Sequence, residues 1–166
     1  MANAIRNFRD LDAWQCGMDL VLLAYDLSDA LPSSERYGLC AQMRRAAVSV
    51  PSNVAEGHAF RTNSKAFGRH VRIALGSLAE LETQIEIGFR LKFLKATQLK
   101  SIQEAAIRTG QLLHGLLRAL TVRAKQLQRS ECRVRTTASK SSTRLVIRQS
   151  RRRTAKGSGA EATKRR

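Results

Sequence analysis

Seven positions alternate by 4 and 3 along one stretch of the chain: Phe67, Val71, Ala74, Leu78, Leu81, Ile85 and Gly88. A helix turns once in about 3.6 residues, so this spacing keeps all seven on one stripe. A strand cannot use the pattern, because its side chains change face at every residue. Leu99, Ile102, Ala106, Leu113, Leu116 and Leu120 repeat it further on, and β-branched alternation is absent. Only two prolines, Pro32 and Pro51, interrupt the chain. Sustained 3–4 spacing fits the shallow crossing angle of a left-handed bundle, so the first 129 residues are expected to pack helix on helix.

Four segments carry the helical period. The first covers 11–31, with Asp10 as N-cap and Pro32 beyond its end. Leu11, Trp14, Met18, Leu22 and Tyr25 form one apolar stripe on it; Leu20, Leu23, Leu27 and Leu31 form a second beside the first. Together they predict a wide apolar face turned into a bundle. The second helix is expected from the turn at 32–35 to about Phe60, and the third from a cap at Thr62 or Asn63. Connections of a few residues between long helices imply antiparallel neighbours. The expected fold is all-α, an antiparallel up-down-up-down four-helix bundle over 1–129. A disordered basic tail over 130–166 follows it, holding 11 Ser+Thr and 12 Lys+Arg and too little apolar surface to offset the entropy of ordering.

Residues 42–57 depart from the plain pattern. Met43, Ala47, Val50 and Val54 make a core stripe, and Gln42, Arg45, Ser49, Asn53 and Glu56 follow one position behind. The polar stripe therefore borders the core seam, where a neighbouring helix would meet it. Pro51 lies inside this helix, removes one donor and leaves the carbonyl of Ala47 without its usual partner, so a kink is expected. Ser49, Asn53 and Glu56 either satisfy one another and the kinked backbone or line an assembly contact.

Charge bounds the partners. Up to Arg129 the chain has 18 Lys+Arg against 11 Asp+Glu; beyond it, 12 against 2, which together make the net +17. Such an excess favours polyanions. Cys16, Cys40 and Cys132 are odd in number and far apart, with no CxxC or Cys/His spacing, so neither a disulfide framework nor a metal site is expected. No cofactor is expected either. The N-terminal residues lack the apolar core of a signal peptide, and the longest apolar run, Leu20 to Tyr25, is too short for a bilayer. A soluble, cytoplasmic protein without a membrane partner is the expectation.

Several motifs occur in order. Phe8-Arg9-Asp10-Leu11 with Trp14 opens the first helix, and Leu31-Pro32-Ser33-Ser34-Glu35-Arg36-Tyr37-Gly38-Leu39 makes the first turn. The segment QMRRAAVSVPSNVAEG follows from Gln42, and IALGSLAELE from Ile73 lies in the third helix. Over about Phe8 to Arg129 the chain resembles the four-helix bundle proteins encoded in 23S rRNA intervening sequences. That family is similar to the accessory proteins of diversity-generating retroelements. The resemblance implies a bundle assembling as a ring-like homopentamer; the related retroelement accessory proteins bind a reverse transcriptase and nucleic acid, and for the intervening-sequence branch itself no catalytic residues or settled function carry over.

Arg61, Lys65, Arg69 and Arg72 recur at 4, 4 and 3 and line one face at the start of the third helix. They make a phosphate-tracking patch or simply a solvated basic face, with Arg44 and Arg45 expected alongside. Asp12, Asp19 and Asp26, seven apart on the first helix, form an acidic stripe that could instead pair with these cations between subunits. The tail, with Arg151, Arg152 and Arg153, has no Phe, Tyr or Trp, so binding through it would be electrostatic and nearly blind to sequence. Glu80, Glu82 and Glu86 lack a nucleophile or His partner, which argues against an enzyme. Glu80 or Glu56 is expected to pair with an arginine. Ser49, Pro51, Asn53, Glu56, Ser77 and Glu80 read as structural or assembly positions, and His58, His70 and His114 as surface or flanking residues. The leading expectation is a non-enzymatic homo-oligomer that binds nucleic acid, RNA favoured. The alternative is an adaptor docking a protein such as a reverse transcriptase.

Overall fold

The computed structural model describes residues 6–157, with side chains described for 6–130. Among the described residues there are four α-helices and no strand: α1 (Asp12–Ser28), α2 (Leu39–Ala59), α3 (Ser64–Arg90) and α4 (Ala96–Gly157). Contacts divide the chain into two units, one ending at Ala124 and one beginning at Lys125. None of the described helices is long and apolar enough to cross a membrane.

The helix ends follow from local chemistry. Asp10 does not cap α1 as expected; it closes a capping box with Asn7 around the 3₁₀ turn Phe8–Asp10, and Leu11 is the N-cap. Helix α1 stops at Ser28, three residues before the expected end, and the chain tightens into turns ahead of Pro32, the Ala30 N–H donating to the Leu27 carbonyl and the Leu31 N–H to the Ser28 carbonyl, both at 3.2 Å. Helix α2 begins at Leu39, where the Glu35 carboxylate accepts from the Leu39 N–H at 3.0 Å. An anion at that position also complements the helix dipole. Asn63 caps α3, accepting from the Ala66 N–H at 3.1 Å.

Cross-helix contacts set the directions. Between α2 and α3, Ser49 meets Ser77 and Glu56 meets His70, so one chain ascends as the other descends. Between α1 and α2, Gly17 faces Pro51 and Arg44 reaches Ser28. Between α3 and α4, Gly110 faces Leu78 and Gly68 faces Leu117. Each of these pairs is antiparallel. Thr109 on α4 is fully buried and donates to the Cys16 carbonyl of α1 at 3.4 Å.

Leu20, Met43, Val50, Val54, Val71, Leu81, Ile102 and Leu113 are sealed from water at the centre. Each large aliphatic buried there stabilises the bundle by roughly 1.5–3 kcal/mol. The two apolar stripes of α1 fare differently. Leu20 and Leu27 enter the core, but Met18 is 38%, Leu22 63% and Tyr25 40% exposed. The wide face expected to turn inward is therefore split: the core takes Leu11 and packs Trp14 at the start of the first stripe, while Met18, Leu22 and Tyr25 stay on the surface.

The segment expected as a disordered tail carries helical backbone to Gly157. No glycine or proline lies between Gly115 and Gly157, so nothing in the local sequence breaks the helix.

Candidate functional site

The polar stripe of α2 meets α3 as a ladder. Ser49 Oγ lies 2.8 Å from Ser77 Oγ, and Ser77 also donates to the Ile73 carbonyl at 3.1 Å. Asn53 Nδ2 donates to the Ser49 carbonyl at 2.9 Å and reaches Ser49 Oγ at 3.1 Å. Helix α2 continues unbroken through Pro51, which is buried against Gly17: a β-carbon on that glycine would sit 3.3 Å from Pro51 Cβ. Just after the missing N–H, Ser52 and Asn53 bond carbonyls one turn back, Val48 at 2.8 Å and Ser49 at 2.9 Å. Such back-bonds supply acceptors near a proline with local donors. Ser49, Asn53 and Ser77 thus form one network. Glu56 does not join it, and turns to His70 instead.

Glu80 also departs from expectation. Its hydrogen-bond partner is Gln84 Nε2 at 3.1 Å, and no arginine pairs with it among the described residues. Arg45 and Glu80 are both exposed.

The six helical cations proposed for phosphate do not form one surface. Arg44 donates through Nε to Ser28 Oγ at 2.7 Å, pairs with Asp29 and lies 4.8 Å over the Tyr25 ring. It ties α2 to the end of α1. Arg45 is also sixteen residues before Arg61 and Arg44 seventeen, about 24–26 Å at the helical rise. Lys65, Arg69 and Arg72, in contrast, are exposed in the first turns of α3, and Arg61 is exposed in the turn two residues before its N-cap; none has an ion pair among the described residues. The first turn of α3 holds Lys65 and no acid. The helix dipole favours the opposite arrangement by about 0.3–1 kcal/mol, so folding alone does not account for a cation there. Arg151, Arg152 and Arg153 fall on the helical backbone of α4, and their side chains lie outside the described residues.

The corner joining α2 to α3 was read from sequence as ordinary, and here the structure differs. His58 is buried at 6% exposure, with its ring edge-on to Phe67 at 6.2 Å and Nε2 without a hydrogen-bond partner. His70 stacks on Phe60 at 5.6 Å, and its Nδ1 is 3.5 Å from Glu56 Oε2 without hydrogen-bond alignment. Neither shares a metal-ligand spacing, which is why spacing alone passed over them. Helical phase offers the missed signal: Val54, Gly57 and His58 sit at 0, 3 and 4 on the core face. No three His, Cys, Asp or Glu side chains converge as a metal site among the described residues.

A groove of about 630 Å³ runs between α3 and α4, floored by Leu75, Leu78, Ala106 and Ile107, with His114 and Arg118 at its rim. A further hollow of about 290 Å³ adjoins Glu82, Glu86 and Gln103.

Comparison with known proteins bears on this arrangement. The family model described as 23S rRNA-intervening sequence protein matches residues 9–115. A crystal structure of a protein of unknown function from the S23 ribosomal protein family of Bacteroides thetaiotaomicron superposes with a TM-score of 0.58 at 19% identity. The match covers 64% of this chain and 95% of that one, and at this identity it shows a shared fold. No protein with a curated description matches the chain.

Proposed function

The chain belongs to the 23S rRNA-intervening sequence protein family, and from that premise we propose that it is a non-enzymatic, homo-oligomeric bundle that binds nucleic acid, RNA in preference, through phosphate contacts. One observation carries the reading: four exposed cations, Arg61, Lys65, Arg69 and Arg72, stand without internal partners around the start of α3. Their field adds to the backbone N–H groups of a helix N-terminus, which also attract anions. The net charge of +17, concentrated beyond Arg129, would add non-specific affinity. Copies assembled as a ring, a homopentamer by family resemblance, would repeat the patch around an axis and multiply the potential. The cytoplasm is the compartment proposed with an RNA ligand.

Phosphate contacts of this kind are read by salt. Each one released from single-stranded RNA lowers the slope of log affinity on log salt by about 0.7, and from duplex DNA by about 0.9. Changing Arg61, Lys65, Arg69 and Arg72 together to Gln should flatten the RNA slope by up to about 3. Absence of RNA and DNA binding by the full chain at low ionic strength would sink the proposal.

The second reading is an adaptor that docks a protein partner such as a reverse transcriptase, and the apolar surface of Met18, Leu22 and Tyr25 favours it. Recovery of one protein in stoichiometric amount after nuclease treatment would support this reading. Recovery of nuclease-sensitive material alone would count against it.

A further inference from the structure

The apolar stripe that α1 leaves outside the core has a complement elsewhere on the same bundle. Met18, Leu22 and Tyr25 lie at i, i+4 and i+7, a continuous ridge, with Trp14 half-buried one turn before. Isolated exposed apolar residues need no explanation, but a contiguous ridge on a charged helix marks a contact surface. One flank of the ridge is acidic. Between Asp12 and Ser28 the helix carries three Asp and no Lys or Arg, in a chain of net charge +17. Asp19 and Asp26 are exposed and have no ion pair among the described residues.

The groove between α3 and α4 presents the opposite surface. Its floor is apolar and includes Ile107, 58% exposed. Arg118 borders one end, and Arg72 stands one turn before Leu75 on the same side of α3. Glu82 and Glu86 occupy the other end. A ridge seated between two helices is ordinary ridges-into-grooves packing.

We propose that the α1 ridge of one copy docks into the α3–α4 groove of a second copy, with Asp19 and Asp26 placed toward Arg118 and Arg72. The occupant follows from complementarity within the chain: a ridge flanked by Asp19 and Asp26, with Arg44 of α2 stacked only at its Tyr25 end, meets a groove with a cationic end, and both surfaces are exposed on the same bundle. Because ridge and groove are different surfaces, the contact is heterologous, and its repetition closes a ring or extends a filament. The inference rests on the homo-oligomer reading above and supplies its interface.

Mass by light scattering on the full chain tests it. Leu22→Asp and Ile107→Asp, both at exposed positions, should each give a folded monomer by circular dichroism. Mixed one to one, they should form a dimer, because Leu22→Asp keeps its groove and Ile107→Asp keeps its ridge. Tyr37→Asp, at a position 89% exposed in the first turn, should leave the assembly of the wild type unchanged. A charge swap gives an independent check: Asp26→Arg should weaken assembly, and adding Arg118→Asp should restore it. A monomeric wild type would overturn the homo-oligomer reading along with this one. An oligomeric wild type whose mass survives Leu22→Asp, or survives Ile107→Asp, would overturn the docking alone. Two monomeric variants that fail to combine would do the same.

Discussion

Replacing Gly57 by alanine would put a methyl group where α2 and α3 come closest. The new carbon would sit 2.4 Å from Phe67 Cδ2, 2.8 Å from Cε2 and 3.0 Å from His70 Cβ. Ordinary contact begins near 3.4 Å, so the Phe67 ring must retreat by about 1 Å. It has little room, being 4% exposed and edge-on to His58. Overpacking of this kind costs about 1–3 kcal/mol. Alanine returns roughly 1 kcal/mol of helix propensity, leaving a net loss of up to about 2 kcal/mol. The matched control is Gly76→Ala on α3, whose added carbon meets nothing within 4 Å. There the propensity gain stands alone, about 0.5–1 kcal/mol of stabilisation. Urea denaturation at fixed protein concentration measures both, since assembly makes stability concentration-dependent. Two identical substitutions should move the midpoint in opposite directions. Adding Phe67→Leu should cost less in the Gly57→Ala background than in the wild type. If Gly57→Ala stabilises as much as Gly76→Ala, the close packing described at this corner is wrong.

Other outcomes follow from the same geometry. A double-mutant cycle on Ser49→Ala and Ser77→Ala should return a coupling energy of about 0.5–1.5 kcal/mol; additivity would mean the two hydroxyls do not share a bond. Arg44→Ala should lower stability by about 1 kcal/mol, a modest figure because its partner Asp29 is largely exposed. It should leave the salt slope for RNA unchanged, whereas Arg69→Gln should change the slope with little effect on the urea midpoint. His58→Leu should stay within about 1 kcal/mol of the wild type by denaturation, since it removes a buried Nε2 that has no partner. A loss of several kcal/mol would show that Nε2 makes a bond important to the fold.

The core stripe of α3 was legible as a pattern: Phe67, Val71, Ala74, Leu78, Leu81, Ile85 and Gly88 are all buried. A cap at Thr62 or Asn63 was legible too, because a short polar side chain before a helix has one favourable task there, and the structure gives that task to Asn63. The α2 polar stripe announced its place beside the seam, and Ser49, Asn53 and Ser77 do form a network at that seam. Its membership was not legible: whether Glu56 turns along α2 or across to His70 depends on where α3 sits. The same holds for the cations. Spacing grouped Arg61, Lys65, Arg69 and Arg72, but nothing local revealed that Arg44 is already engaged by Ser28, Asp29 and the Tyr25 ring.

Periodicity along one chain reports each helix's own faces, and it was enough to establish four helices, the phase of their core stripes and the excess of positive charge. Tertiary packing decided how those faces were used. A four-helix core has room for only part of the apolar surface α1 offers, so Leu20 and Leu27 were buried and Met18, Leu22 and Tyr25 were left to water. That choice depends on the positions of three other helices, and a ridge fit for a partner emerged from what the sequence presents only as a wide hydrophobic face.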